Sequence, residues 1–478
     1  MFIRISFTLL FISSLAISSD YQDWLKSLNL EYNIYKKSID EEFSEMLKKD
    51  WKSFQSMSSP SPYKKPKPEK MPKIIEPLVT PKKEIIKSPI IQLNPIKKLE
   101  IPIPIKVAEN MKKIQDFYTS VVDFYSIPIS IQYDKNTSFD LNSINKNTIS
   151  QFWDMMSTTN YKKLLKQIDI RTEQLNLNDW AKYQLIHKLG LDIFKENNKA
   201  NLFTWFLLVK MDYDTKVGYS NEKIYLMSTM QHNLFQVSFF TLNNKKYYIL
   251  TPNGKIDNVG SIFTYAGDYP KAKKELSFAM FDEVKLYNHL KTKSLKFTYA
   301  KKNYTINTQY SSDLIDFYKT FPQSDYDIYF NTKNSTPLAN SILVKLSPLI
   351  KGKSEIEAVN LLLRFVQTSF KYQTDQKQFN YEKVMFPEET VNYPYSDCED
   401  RSILFSYLVK NLLKLEVVGL KYNDHLATAV AFSSDISGDN FNYKGKKYTI
   451  SDPTYVNANA GISMPQYKNK NFKIISLR

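Results

Sequence analysis

The chain has 478 residues, with 65 Lys+Arg against 49 Asp+Glu, a formal net charge of +16 and a single cysteine. One cysteine excludes an internal disulfide, so stability must come from core packing, which a chain of this length supplies readily. The charge does not point to nucleic acid: eleven Lys and four Glu between Pro60 and Lys106 place +7 in one Pro-rich stretch, and no nucleic-acid module accompanies it.

The first residues, MFIRISFTLLFISSLAISSD, carry Arg4, a short apolar run and small residues at 16 and 18. The pattern predicts a signal peptide over 1–18 and a periplasmic or secreted protein. No cysteine follows the apolar run, so a lipoprotein anchor is excluded, and no later segment is apolar enough to span a bilayer. Residues 19–56 repeat apolar side chains at helical spacing, from Trp24 and Leu28 to Leu47 and Trp51. They predict an amphipathic helix, packed on its own domain or docking a cell-envelope partner. Residues 57–106 hold eleven of the 21 prolines and read as an extended linker, loosely attracted to anionic surfaces.

Residues 107–347 predict a mixed α/β domain. VAENMKKIQDFYTSVVDFY reads as helix and SIPISIQYD as strand. Helices follow to Met211, then strands EKIYLMST, LFQVSFFTL and KKYYILTP, the last two joined through Asn243-Asn244. Residues 348–478 read as helix, loop, helix and strands.

Cys398 follows Ser396 and Asp397, both good N-caps, and Glu399 and Asp400 complete capping-box spacings in either frame. The thiol should therefore sit in the first turn of a buried helix, where free N–H groups and the macrodipole favour a thiolate. Of four histidines, His425 opens the alternating strand HLATAVAF, and Asp452 closes KKYTISD. Antiparallel pairing of these strands would bring Asp452 beside His425 at one sheet end. Asp452 would fix the imidazole tautomer, and the other ring nitrogen would take the thiol proton. The alternative is a small buried thiol and a histidine satisfied elsewhere.

SDCEDRSILFSYL, NDHLATAVAF and YTISDPTY together resemble the transglutaminase-like cysteine hydrolase superfamily. The resemblance spans about 354–467 and includes the preceding helix and SFKY. It implies a papain-like α+β fold, a helix bundle on an antiparallel sheet, with Cys398, His425 and Asp452 as the triad. The sequence departs from the pattern at DCED, where many relatives have glycine before the cysteine, and at Leu426. Oxyanion support would come from the Cys398 N–H, with Tyr393, Tyr395 or Asp397 as guesses. Asp400 and Arg401 read as a local ion pair. No cofactor motif is present, and His187, His232 and His289 lack the neighbours of a metal site, so neither cofactor nor metal is expected.

An internal echo links the two halves. Leu208-Val209-Lys210 matches Leu408-Val409-Lys410, Gly218 matches Gly419, Asn221 matches Asn423, and Tyr248 matches Tyr448. Residues 178–252 are thus a candidate degenerate copy, with Asn198, Lys223 and Thr251 at the triad positions. The expected function is an exported, monomeric cysteine peptidase or amidase acting on protein or peptide amides through a thioester. The alternatives are a cross-linking acyltransferase and a non-catalytic envelope scaffold with a vestigial triad.

Overall fold

A computed structural model describes residue 21 and residues 23–28, 30–31, 37–49, 51–60, 116–254 and 259–477. The expected signal peptide and nearly all of the expected linker lie outside the described residues. The fold is mixed α+β, and its described sheets, apart from one short two-stranded pair, are antiparallel. No helix among the described residues is long and apolar enough to cross a membrane.

Residues 23–28 are helical, with Trp24 and Leu28 about half exposed. Helix α1, 37–47, is buried through Ile39, Phe43 and Leu47, and its Asp40 pairs with Lys210. The helix expected to 56 stops short of it. Trp51–Gln55 is strand β1 and Met57–Ser58 strand β2. Trp51 keeps the helical spacing from Leu47, but WKSFQ meets an open sheet edge, and ladder pairing overrides local periodicity. The same correction applies to FYTSVVDF. Phe117–Phe124 is strand β3, paired antiparallel with β4, Ile127–Asp134.

Helices α2 (Lys146–Thr158), α3 (Tyr161–Gln174), α4 (Asp179–Phe194) and α5 (Asn197–Lys210) follow. Then come β5 (Thr215–Ser220), β6 (Lys223–Ser228), β7 (Ser238–Leu242), β8 (Lys245–Ile249) and β9 (Ser261–Tyr265). Asn243 and Asn244 turn β7 into β8 with φ of 48 and 62, a two-residue hairpin turn in the left-handed region. Among the described residues the sheet runs β1-β9-β5-β6-β8-β7-β2. Both edges are thus covered by the single segment 51–58, and the sheet curls toward a barrel.

A hairpin, β10 (Leu290–Tyr299) and β11 (Lys302–Ser311), leads to α6 (Ser312–Lys319), α7 (Tyr326–Asn331), α8 (Thr336–Ile350) and α9 (Glu355–Ser369). Short elements follow: β12 (Lys371–Tyr372), α10 (Asp375–Gln378), α11 (Pro387–Asn392) and β13 (Tyr395–Ser396). The chain ends with α12 (Cys398–Leu412), β14 (Glu416–Lys421), β15 (Leu426–Ala431), β16 (Asn440–Tyr443), β17 (Lys446–Ile450) and β18 (Lys473–Ser476). The boundary expected at 347/348 falls inside α8. Leu338, Ile342 and Leu346 of that helix share one core with Leu361, Leu404 and Val417, so the last unit's core begins upstream.

The second sheet runs β16-β17-β15-β14-β18. Part of the first runs β7-β8-β6-β5-β9. The two have the same order, the same antiparallel pairing and a helix of similar length before the first strand. Gly218 in β5 and Gly419 in β14 take corresponding places. A Cβ on Gly218 would lie 2.6 Å from Ile262 of β9, and one on Gly419 3.2 Å from Ile475 of β18. Close approach of the neighbouring strand explains glycine at both.

Candidate active site

Strands β15 and β17 pair antiparallel, Ala429 opposite Ile450, and the Ser451 N–H donates to the Thr428 carbonyl at 2.8 Å. This register carries the start of β15 to the end of β17. His425 and Asp452 meet there, with Nε2 and Oδ2 2.8 Å apart and both side chains buried. Asp452 Oδ1 accepts from the Thr454 N–H at 2.8 Å. A carboxylate fixed in this way accepts the Nε2 proton and leaves Nδ1 as the free base nitrogen. The imidazole stacks on Tyr467, with centroids 4.7 Å apart and planes 20° apart, and Tyr467 donates to Asp424. The insert between the strands folds back as β16, paired with β17.

Cys398 opens α12 and is buried in one core with Leu426, the residue after His425. Ser402, one turn on, donates to the Leu426 carbonyl at 3.0 Å, locking α12 to the start of β15. Among the described residues the thiol makes no hydrogen bond to His425, and the Leu426 N–H faces the sulfur. The thiol donates to Glu399 Oε2 at 2.9 Å. The helix start was expected to favour the thiolate. Burial outweighs it, and the Glu399 and Asp397 carboxylates add to the burial, so the thiol pKa lies well above its ordinary value.

A cluster of acids surrounds this sulfur, and sequence reading missed it. Asp375, Asp397 and Glu399 are buried and bring carboxylate oxygens within 4.8 Å of one another. Neither oxygen of Asp397 has a hydrogen-bond partner. Burial, then Glu399 and Asp375, pushes the Asp397 pKa well up, and burial with Asp400 and Glu399 does the same to Asp375. Asp400 is pushed up to about 7 by burial and Glu399. Three hard oxygen donors are the set a divalent cation takes, so Asp375, Asp397 and Glu399 are the residues that could hold one, and protons are the other way to neutralise them. Asp375 reaches the site from the stretch 370–397 between α9 and α12, and no local spacing links it to Cys398.

The expected ion pair of Asp400 and Arg401 is not formed. Asp400 accepts from the N–H groups of Met385 and Asp397. Arg401 donates to Ser396 Oγ and to the carbonyls of Gln367 and Phe370. Backbone groups of the buried turn claim both side chains first. Among the described residues no hydrogen bond or ring contact joins Tyr393 or Tyr395 to Cys398. Tyr393 packs edge-on against Phe379, and its carbonyl accepts from Lys293. The tyrosine that senses the site is Tyr372: burial, then charge at Cys398 and Asp397, pushes its hydroxyl pKa up. The segment SFKY carried that signal.

The first unit has the same framework around different side chains. The Leu250 N–H donates to the Leu226 carbonyl at 2.8 Å, matching Ser451 and Thr428. Asn201 donates to the Ile224 carbonyl, matching Ser402 and Leu426. Gln184 of α4 donates to the Pro252 carbonyl, and Gln367 of α9 to that of Asp452. Counted back from Asn201 and Ser402, Cys398 falls opposite Asn197, the first residue of α5, one place before the expected Asn198. The Asn198 amide accepts from the Ile224 N–H at 2.9 Å and donates to the Glu222 carbonyl at 3.0 Å. Lys223 and Thr251 hold the other two places. Comparison of the chain with family models, with curated proteins and with solved structures finds no match.

Proposed function

We propose that the C-terminal unit is a cysteine hydrolase of transglutaminase-like type, exported and acting on amide bonds of a protein or peptide. The observation that carries this reading is the buried His425–Asp452 pair beside the helix start that bears the only cysteine. Proton transfer from the Cys398 thiol to His425 Nδ1 would give the thiolate. Its sulfur attacks the amide carbonyl carbon, the C–N bond breaks, and the departing amine takes the proton from the imidazolium. Water, deprotonated by His425, then attacks the thioester and releases the acid and the thiol. An amine in place of water would give an acyl transfer by the same steps.

In the form described here the thiol is latent, buried and bonded to Glu399. Turning it toward His425 requires that Glu399 release it. Neutralising the acid cluster, by proton or cation, is the physical route. We further propose that residues 178–252 are a degenerate copy of the same fold.

The raised thiol pKa and the Cys398–Glu399 bond also favour a second reading, a binding protein with a retired triad. The two are separated by the rate of Cys398 alkylation against pH, in wild type and in His425→Ala. The sole cysteine makes the label unambiguous. A fast rate below neutral pH that disappears in His425→Ala supports the hydrolase. A slow rate, equal in both proteins, supports the retired triad.

A further inference from the structure

The matched units differ at one sheet edge. In the first, β9 pairs with β5 on one side and receives β1 on the other, antiparallel, with Trp51 opposite Tyr265 and Gln55 opposite Ser261. In the second, the corresponding strand β18 pairs, among the described residues, with β14 alone and ends the sheet. Lys473 and Ser476 at its two ends are exposed, and Ile474 and Ile475 half-buried. A strand edge with unpaired N–H and C=O groups is a template for a further extended chain.

The surroundings of this edge are basic. A groove of about 550 Å³ between the two sheet edges is lined by Ser476, Tyr443, Lys410, Lys414 and Lys444. Its one carboxylate, Glu416, is already taken by Lys446 and the Tyr448 hydroxyl. Among the described residues Lys410, Lys414, Lys444 and Lys473 make no ion pair.

We propose that β18 is a docking edge for an extended acidic peptide segment, which adds antiparallel to it as β1 adds to β9. Main-chain hydrogen bonds supply the affinity, and the lysines select the charge. The docked strand also points at the candidate site. Lys473 lies opposite Lys421, and Lys421 opposite Leu426, so the edge is two strand spacings, about 10 Å, from the start of β15. A chain held there continues toward His425.

The test is binding by full-length protein carrying Cys398→Ala, which makes it independent of whether the thiol works. The probe is a fluorescein-labelled peptide of alternating Glu and Val, followed by anisotropy, with the Lys and Val counterpart as control. The Glu peptide should bind, and Lys473→Glu with Lys444→Glu should weaken it about tenfold or more. Amide hydrogen exchange at Lys473–Ser476 should slow when the peptide is bound. No binding overturns the proposal. So does equal binding of the Lys peptide, and so does binding that leaves exchange at β18 unchanged, because charge attraction alone would then account for it.

Discussion

At the start of α5, Asn198 uses its amide to bridge Glu222 and Ile224, so helix and strand are tied by a side chain with nothing left to react. At the start of α12 Cys398 faces the Leu426 N–H in the same way, but its own proton goes to Glu399. The first unit seals both sheet edges with the segment 51–58, and its buried atoms without a partner are the uncharged Trp180 Nε1, Tyr183 Oη and His232 Nδ1. The second leaves both carboxylate oxygens of Asp397 without a hydrogen-bond partner and, among the described residues, the outer edge of β18 unpaired. Equal frameworks, only one of which gathers Asp375, Asp397 and Glu399 at its helix start, locate where the second departs from what folding alone requires. Departures of that kind gather at functional sites.

The largest effect that separates the units should come from the base. His425→Ala is expected to cut hydrolysis of a responsive peptide roughly 10³-fold or more, whereas Lys223→Ala at the matching place leaves it unchanged. Circular dichroism would show that both variants fold. Equal loss in both would mean that the first unit is no silent copy.

Next in size is a pH effect confined to the second unit. Asp400 has a folded pKa of about 7, raised above the ordinary carboxyl value by burial and Glu399. A raised acid binds its proton more tightly when folded, so its contribution is complete below about pH 4 and is lost as pH climbs to 7. Stability should fall across that window, by on the order of 3 kcal/mol. Asp400→Asn should flatten the slope of melting temperature against pH, whatever it does to the absolute value. A slope that survives the substitution would assign the titration to Asp375 or Asp397.

Much of this comparison was legible in the sequence. The His425–Asp452 meeting follows from two alternating strands, because antiparallel pairing places the start of one beside the end of the next. The helix start at Cys398 follows from its caps and apolar run. The echo at Gly218 and Gly419 was legible because close strand approach leaves glycine no substitute. What stayed hidden depends on tertiary partners. WKSFQ continues a helical period and becomes strand only because β9 has an edge to fill. FYTSVVDF likewise becomes strand by pairing with β4. Asp375 reaches the thiol through an irregular stretch with no period to read, so the acids that hold the thiol back could not be inferred from DCED alone.

The glycines offer a smaller contrast. Gly218→Ala would press a Cβ to 3.0 Å from the Phe263 carbonyl as well as onto Ile262, and backbone cannot step aside. Gly419→Ala meets Ile475 Cβ and the tip of the Phe330 ring at 3.2 Å, a wider approach that a shift of a few tenths of an ångström relieves. Denaturant melts should show about 2–3 kcal/mol lost in the first and about 1 kcal/mol in the second. The reverse order would mean that β18 is held more rigidly than β9, against its open edge.

The smallest effect is the one that reports on latency. Glu399→Gln keeps the size of the side chain and removes a charge that holds the thiol pKa up. One unit of thiol pKa is a factor of ten in thiolate, so alkylation of Cys398 at neutral pH should rise about tenfold. A change at the first unit's helix start, Glu196→Gln, at the N-cap place that Asp397 holds in α12, touches no thiol. Glu196 accepts from the N–H groups of Asn198 and Lys199, so its loss should cost about 1 kcal/mol of stability and leave alkylation alone. If Glu399→Gln instead slowed alkylation, the Cys398–Glu399 bond would be the activating contact, with Glu399 as the thiol's base, and His425 would have no proton to take.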